Sequence, residues 1–256
     1  MFRRWKRLRA ECRALFLFHL MLRAAVVCLG LWKLAQGRWG HAGLCLLTLA
    51  LFSLPALTEA LLKLRVEPPL DIAAVLFAVC ANIFGEMLGF YLRFPWWDAA
   101  LHVIWGFLAG LLGVAFLEAL QRSVLRPRAA ALTALGFAAL IAVLWEFFEF
   151  AMDAAFPLDM QKDVWLHKVS SVLLNPEGKN DAVTAVPRSV SVDGAPWPGL
   201  LDPGLRDTVS DLFLNFVGSL LAAFALLRGG RNGRSKLLRS LMPAPFSDSE
   251  GPDEKH

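Results

Sequence analysis

Three short runs carry residues whose types and spacing suit chemistry. Asp98 and His102 stand four apart, Glu146, Glu149 and Asp153 three and seven apart, and Asp207, Asp211 and Asn215 four and eight apart. On a helix each set lies along one face. Carboxylate oxygens with a single imidazole suit Mg²⁺, Mn²⁺ or Zn²⁺, which can activate water or polarise a phosphoryl or acyl group while a glutamate moves a proton. Asp98, His102, Glu149 and Asp211 are therefore the candidate metal ligands. Glu146 is the candidate general base, with Glu149 also placed for catalysis. Glu86, Asp153, Gln161, Asp207 and Asn215 complete the candidate polar set. No serine or cysteine stands beside a base as a nucleophile.

The elements that must position these residues are membrane spans. The 256 residues are 57% hydrophobic and 19% charged, and mean hydropathy is +0.51. Such a balance does not suit a water-soluble globule. Apolar stretches long enough to cross roughly 30 Å of hydrocarbon recur near 14–34, 41–63, 70–92, 97–120, 129–152 and 206–228. None alternates with the period of a membrane barrel strand, so the expected fold is all-α, a polytopic bundle of about six transmembrane helices. The expected organisation is a basic N-terminus over 1–13, five membrane helices within 14–153, an outer loop over 154–205, a sixth helix over 206–228 and a disordered tail over 229–256. The first apolar run follows Arg3, Arg4, Lys6, Arg7 and Arg9, as in a signal peptide. It exceeds the length of such a segment and is interrupted by Arg23, which predicts a retained helix.

Lysine and arginine set the expected orientation. The N-terminal basic run, Lys63, Arg65, Arg122, Arg126, Arg128 and the cluster from Arg228 to Arg239 share one side. Lys33, Arg38 and Arg93 fall on the other. Both termini are therefore expected in the cytoplasm, with the chain in a bacterial inner membrane. The basic balance is explained by this bias and by contact with anionic membrane lipids, without nucleic acid. No protein partner follows from it. Cys12, Cys28, Cys45 and Cys80 have no CxxC spacing and read as small apolar residues. The 154–205 segment contains Asn175-Pro176 and Asp193-Gly194, and Val183, Val190 and Val192 suit a short hairpin.

With that orientation, Asn82 and Glu86 on the third span, Asp98 and His102 on the fourth, Glu146, Glu149 and Asp153 on the fifth, and Asp207, Asp211 and Asn215 on the sixth are expected at one level near the outer leaflet. A charge at mid-membrane costs at least ~2.5–3.5 kcal/mol, so such residues face an interior and mark function by default. Asp98, Asp153 and Asp207 also fit ordinary helix-end roles. Glu86 and Asn215 also fit as interhelical hydrogen-bond partners. Arg23 fits either an internal countercharge or a side chain snorkelling to the interface. Glu59 and Glu118 fall toward the cytoplasmic ends and are left out of the site.

These residues form a recognisable combination: Trp97-Asp98-x-x-Leu101-His102-x-x-x-Gly106, Trp145-Glu146-Phe147-x-Glu149-Phe150-x-x-Asp153, Gln161, and Asp207-Thr208-x-x-Asp211-Leu212-x-x-Asn215-x-x-Gly218. With Glu86, it resembles the YjdF-like family of bacterial inner-membrane proteins over roughly residues 70–228. More distantly it is similar to VanZ-like membrane proteins. The resemblance implies a shared helical core and polar site but carries no activity. The chain departs from the pattern in the length of the link between Gln161 and Asp207. Three classes stay open: a metal-dependent hydrolase or transferase on a lipid-linked or envelope substrate, a proton- or cation-coupled transporter, and a membrane assembly or interaction protein.

Overall fold

The fold is described from a computed structural model, in which residues 2–62, 64–156, 158–229 and 236–245 are described. Helix α1 (Phe2–Glu11) leads into α2 (Arg13–Ala35), followed by α3 (Trp39–Leu51), α4 (Leu54–Leu62) and the two-residue strand β1 (Leu64–Arg65). Helix α5 (Pro68–Ala78) runs on as a π-helix over Val79–Met87, and the short α6 (Phe90–Arg93) precedes α7 (Trp97–Gln121) and α8 (Pro127–Ala155). Strands β2 (Val164–Leu166), β3 (Val169–Ser171), β4 (Val183–Ala185), β5 (Val190–Val192), β6 (Ala195–Trp197) and β7 (Leu200–Asp202) follow. Helix α9 (Leu205–Gly229), α10 (Lys236–Ser240) and β8 (Ala244–Pro245) end the described chain. Six helical stretches are long and apolar enough to cross a membrane: 13–35, 39–61, 68–87, 97–121, 127–155 and 205–229. Each matches a span expected from hydropathy, and large apolar side chains such as Met21, Leu31, Leu61 and Leu132 point outward, as a lipid solvent requires.

Local chemistry sets the ends. Prolines at the first positions of α5 and α8 start those helices without losing an intrahelical bond. The π-helix closes with Leu88 N–H donating to the Ile83 carbonyl, and Gly89 turns the chain at φ +69. The widened winding leaves the Cys80 carbonyl to accept from the Trp97 indole at 3.3 Å.

Two compact units divide the chain, the first comprising residues 1–140 and 214–256, the second Ile141–Phe213. In the first, Leu111, Val114, Ala130, Ala134, Ala222 and Leu226 form an apolar cluster from α7, α8 and α9, joined by Leu238 and Met242. Helices α7 and α9 cross with their backbones nearly touching. A Cβ on Gly106 would meet the Asn215 carbonyl oxygen at 2.0 Å, and one on Gly218 would meet the Val103 oxygen at 2.0 Å. This is the small-residue contact by which helices pack where no hydrophobic force separates them from lipid.

Among the early helices, Arg4 bonds Glu59 at 2.6 Å and Asp71 at 2.6 Å, Arg7 bonds Glu59 at 2.5 Å, and His19 meets Asp71 at 2.8 Å. The Val66 amide also donates to Glu59 at 3.1 Å. Glu59 is thus no surface residue but the buried anchor of α1. Arg23 is held internally, donating to the Phe52 carbonyl at 2.6 Å and lying 5.4 Å from the Trp5 ring and 5.5 Å from that of Phe52. The four cysteines are free, with Cys45 buried among α2, α3 and α5 residues.

The segment expected as a disordered tail differs in part. Residues 236–240 are helical and Ala244–Pro245 pair with Leu64–Arg65, because Leu238 and Met242 find the apolar cluster. The remaining tail residues, including Arg231 and Arg234, and Lys63 of the basic count lie outside the described residues.

The second unit holds the end of α8, the start of α9 and three antiparallel strand pairs, β2 with β7, β3 with β4 and β5 with β6. Asp193 and Gly194, both at positive φ, form the tight turn between β5 and β6, matching the right-handed twist of the strands. Val190 and Val192 are therefore in a hairpin, whereas Val183 pairs with Ser171.

Candidate functional site

The second unit gathers its carboxylates in two tiers. In the outer tier, Asp153 near the end of α8 accepts the backbone amides of Met160 at 2.8 and 3.0 Å and of Gln161 at 2.8 Å. Asp207 in the first turn of α9 accepts the Lys162 amide at 2.8 Å. Both therefore hold the 160–162 backbone, the helix-end role open to them from sequence. Asp202 accepts the Arg206 amide at 3.0 Å and so satisfies a donor at the α9 N-terminus, which otherwise has no intrahelical partner. Gly204, at φ +90, sits where a Cβ would meet the Gln161 Cβ at 2.5 Å, so its lack of a side chain lets the two segments close.

That scaffold aims Gln161. Its side-chain amide donates to Thr208 Oγ1 at 2.7 Å and to Glu146 Oε2 at 3.4 Å. The long link between Gln161 and Asp207 therefore leaves Gln161 against Glu146, because the β2–β7 pair, which encloses the β3–β4 and β5–β6 pairs, returns the chain to its starting point. Thr208 was legible only as part of the Asp207-Thr208 motif; a hydroxyl alone carries no pattern.

The inner tier comprises Glu146, Glu149 and Asp211. All three are buried, at 6, 8 and 4% exposure. One carboxylate oxygen from each lies within 4.8 Å of the others. Glu146 and Glu149 share a face of α8 at a spacing of three, and Asp211 stands one turn inside Asp207 on α9, as helical spacing requires. Three oxygen donors at this separation have the chemistry to hold a hard divalent cation.

Outside the membrane-spanning segments, the Asp163 carboxyl is pushed above the usual carboxylate range, first by desolvation and then by the charges of Asp159, Asp153 and Asp202.

In the first unit, Asp98 and His102 form an i, i+4 pair on α7 at 3.5 Å, half-buried. Glu86 is exposed on the π-helix, while Asn82 is buried beside it. Asn215 is 1% exposed, and neither atom of its amide has a hydrogen-bond partner among the described residues. The sequence did not single out the buried His19 and Asp71, whose contacts join helices far apart in the chain.

No curated protein and no solved structure matches the chain. One family model does, over residues 14–232, which reaches into all six spans and includes every candidate site residue. The chain accordingly belongs to the DUF2238 family, described as predicted membrane proteins.

Proposed function

We propose that the second unit of this multi-pass membrane protein binds a divalent cation, Mg²⁺, Mn²⁺ or Zn²⁺, and uses it for hydrolysis or group transfer on a lipid-linked or envelope substrate. The observation that carries the reading is the convergence of Glu146, Glu149 and Asp211, buried and within 4.8 Å of one another. Two unit charges 4.8 Å apart repel by roughly 3 kcal/mol at an effective dielectric near 20. A doubly charged ion relieves two of them at once. Oxygen-only donors favour Mg²⁺ or Mn²⁺ over softer metals. Glu149 and Asp211 serve as ligands, and Glu146, oriented by the Gln161 amide, as general base. A bound ion would supply Lewis acidity to a phosphoryl or acyl oxygen.

The chain's place in this reading is the bacterial inner membrane with both termini cytoplasmic, supported by the lysine and arginine count. The likeness to YjdF-like and VanZ-like proteins supports the same polar site. Coupled transport is the second reading, and it needs polar groups continuing to the opposite face. Buried polar groups in the first unit, Asn215 and Ser219 on α9 and the His19–Asp71 pair, are the observation that favours it.

Metal analysis of detergent-purified protein, with thermal melting during titration of Mg²⁺, Mn²⁺ and Zn²⁺, tests the proposal. Wild type should retain near-stoichiometric metal or melt higher on titration, and Glu149→Gln should lose that response while folding normally. A wild type without metal and without a melting shift sinks the site.

A further inference from the structure

The first unit holds a buried network of charges that the proposed chemistry does not use. Its members come from four elements: Arg4 and Arg7 from α1, His19 and Arg23 from α2, Glu59 from α4 and Asp71 from α5. Helix α1, ten residues long, is too short to cross a membrane, whereas the residues from the other three lie in spans. Of the four, α1 can therefore leave the network without unfolding a span. Arg4 and Leu8 are on its buried face, and its Trp5 ring lies 5.9 Å from that of His19 and 5.4 Å from the Arg23 guanidinium. Lys6 and Arg9 are exposed on the other face.

Arg4 and His19 compete for one oxygen. Arg4 Nη2 lies 2.6 Å and His19 Nε2 2.8 Å from Asp71 Oδ2, while Asp71 Oδ1 has no hydrogen-bond partner among the described residues. With the imidazole neutral, its Nε2–H donates to Asp71 and Nδ1 is a bare acceptor. That nitrogen is also without a partner among the described residues, on a side chain 3% exposed beside an aspartate that is 0% exposed. Around the pair, Arg4, Arg7 and Arg23 already stand against two acids, Glu59 and Asp71. Glu67, on the link between α4 and α5, is engaged by Arg65 at 3.4 Å. A proton on Nδ1 thus makes a fourth cation, at the oxygen that holds Arg4, with no further acid in the network to balance it. A buried charge in that position is strongly unfavourable. Withdrawal of α1 relieves it, because Arg4 then leaves Asp71 to the imidazolium and water reaches Nδ1, while Glu59 keeps the Val66 amide. A state that takes up a proton the docked state excludes is favoured as pH falls.

We propose that His19 is a proton-binding site that controls the docking of α1. The neutral imidazole shares Asp71 with Arg4 and the helix is held; the imidazolium takes Asp71 for itself and the helix is released. Histidine is the side chain whose charge ordinarily changes between about pH 5 and 8, so the device works in the range a membrane protein meets. It belongs to the first unit alone and stands whether or not the carboxylates of the second hold metal.

Hydrogen exchange of the full chain in nanodiscs at about pH 8 and about pH 5.5, corrected for the intrinsic exchange rate at each, tests it. Amides of residues 2–11 should lose protection by about tenfold on acidification, the worth of roughly one charge-assisted hydrogen bond, while those of α7 keep theirs. His19→Gln should keep α1 docked at both pH values, since glutamine can donate to Asp71 and takes up no proton. Arg4→Gln, which alters no span, should leave α1 loose and indifferent to pH. Equal protection of wild-type α1 at the two pH values, an undiminished pH response in a folded His19→Gln variant, or wild-type protection of α1 in Arg4→Gln at pH 8 overturns the proposal. Should His19→Gln misfold, the wild-type profile and Arg4→Gln decide alone.

Discussion

Individual side chains divide here into those that build and those that react. Asp153 and Asp207 carry the same carboxylate as Glu146 and Asp211, yet each spends it on backbone amides of residues 160–162. The spacing that put all of them on helix faces was legible, because 3.6 residues per turn is fixed by the backbone. Their division of labour was not, since it depends on where the long link between Gln161 and Asp207 returns. Asp163 gives a direct check. Its raised folded pKa means the native state takes up a proton before the unfolded chain does, so its contribution to stability is present at low pH and lost as pH rises through the folded value. Asp163→Asn should therefore melt higher than wild type at pH 7. The difference should vanish below about pH 4, the ordinary carboxylate pKa, and shrink in high salt. An equal or lower melting point at pH 7 would show that the surrounding charges do not reach this carboxyl.

At the scale of elements, hydropathy located all six spans to within a few residues, because a lipid solvent tolerates little else over that length. It missed what a window average cannot register. The π-helical winding of Val79–Met87 and the burial of Glu59 and Asp71 by Arg4, Arg7 and His19 arise from partners distant in sequence. The tail's Leu238 and Met242 were outweighed in composition by the basic and acidic residues around them. Gly106 and Gly218 were visible as motif positions, and their reason is now physical: a methyl group at either would overlap a backbone oxygen of the facing helix. Gly218→Val should destabilise the protein by about 3 kcal/mol or more, as backbone contacts cannot yield as side chains do. Thermal melting in detergent checks it, with Gly136→Val, where an added Cβ meets nothing within 4 Å, as the matched control on α8. Equal melting of the two variants would contradict a backbone-to-backbone crossing.

For the whole molecule, the basic-residue asymmetry predicts sidedness. A reporter fused after Arg239 should be active in the cytoplasm, and one inserted within 175–195 should be active outside. The reverse pattern would move the Glu146, Glu149 and Asp211 cluster to the cytoplasmic side, and with it the class of substrate. Helical phase and span orientation put Glu146, Glu149 and Asp211 at one level together with Asp98 and His102, while the Gln161 and Thr208 bridge beside Glu146 had to be seen in three dimensions. The central claim is that these three carboxylates hold a metal ion, and anomalous scattering from crystals grown with Mn²⁺ reads it most directly. One strong peak is expected at roughly 2.0–2.2 Å from oxygens of Glu149 and Asp211, with Glu146 beside it, and it should be lost in Asp211→Asn. A well-ordered structure with no peak there, or with the peak retained in Asp211→Asn, contradicts the claim.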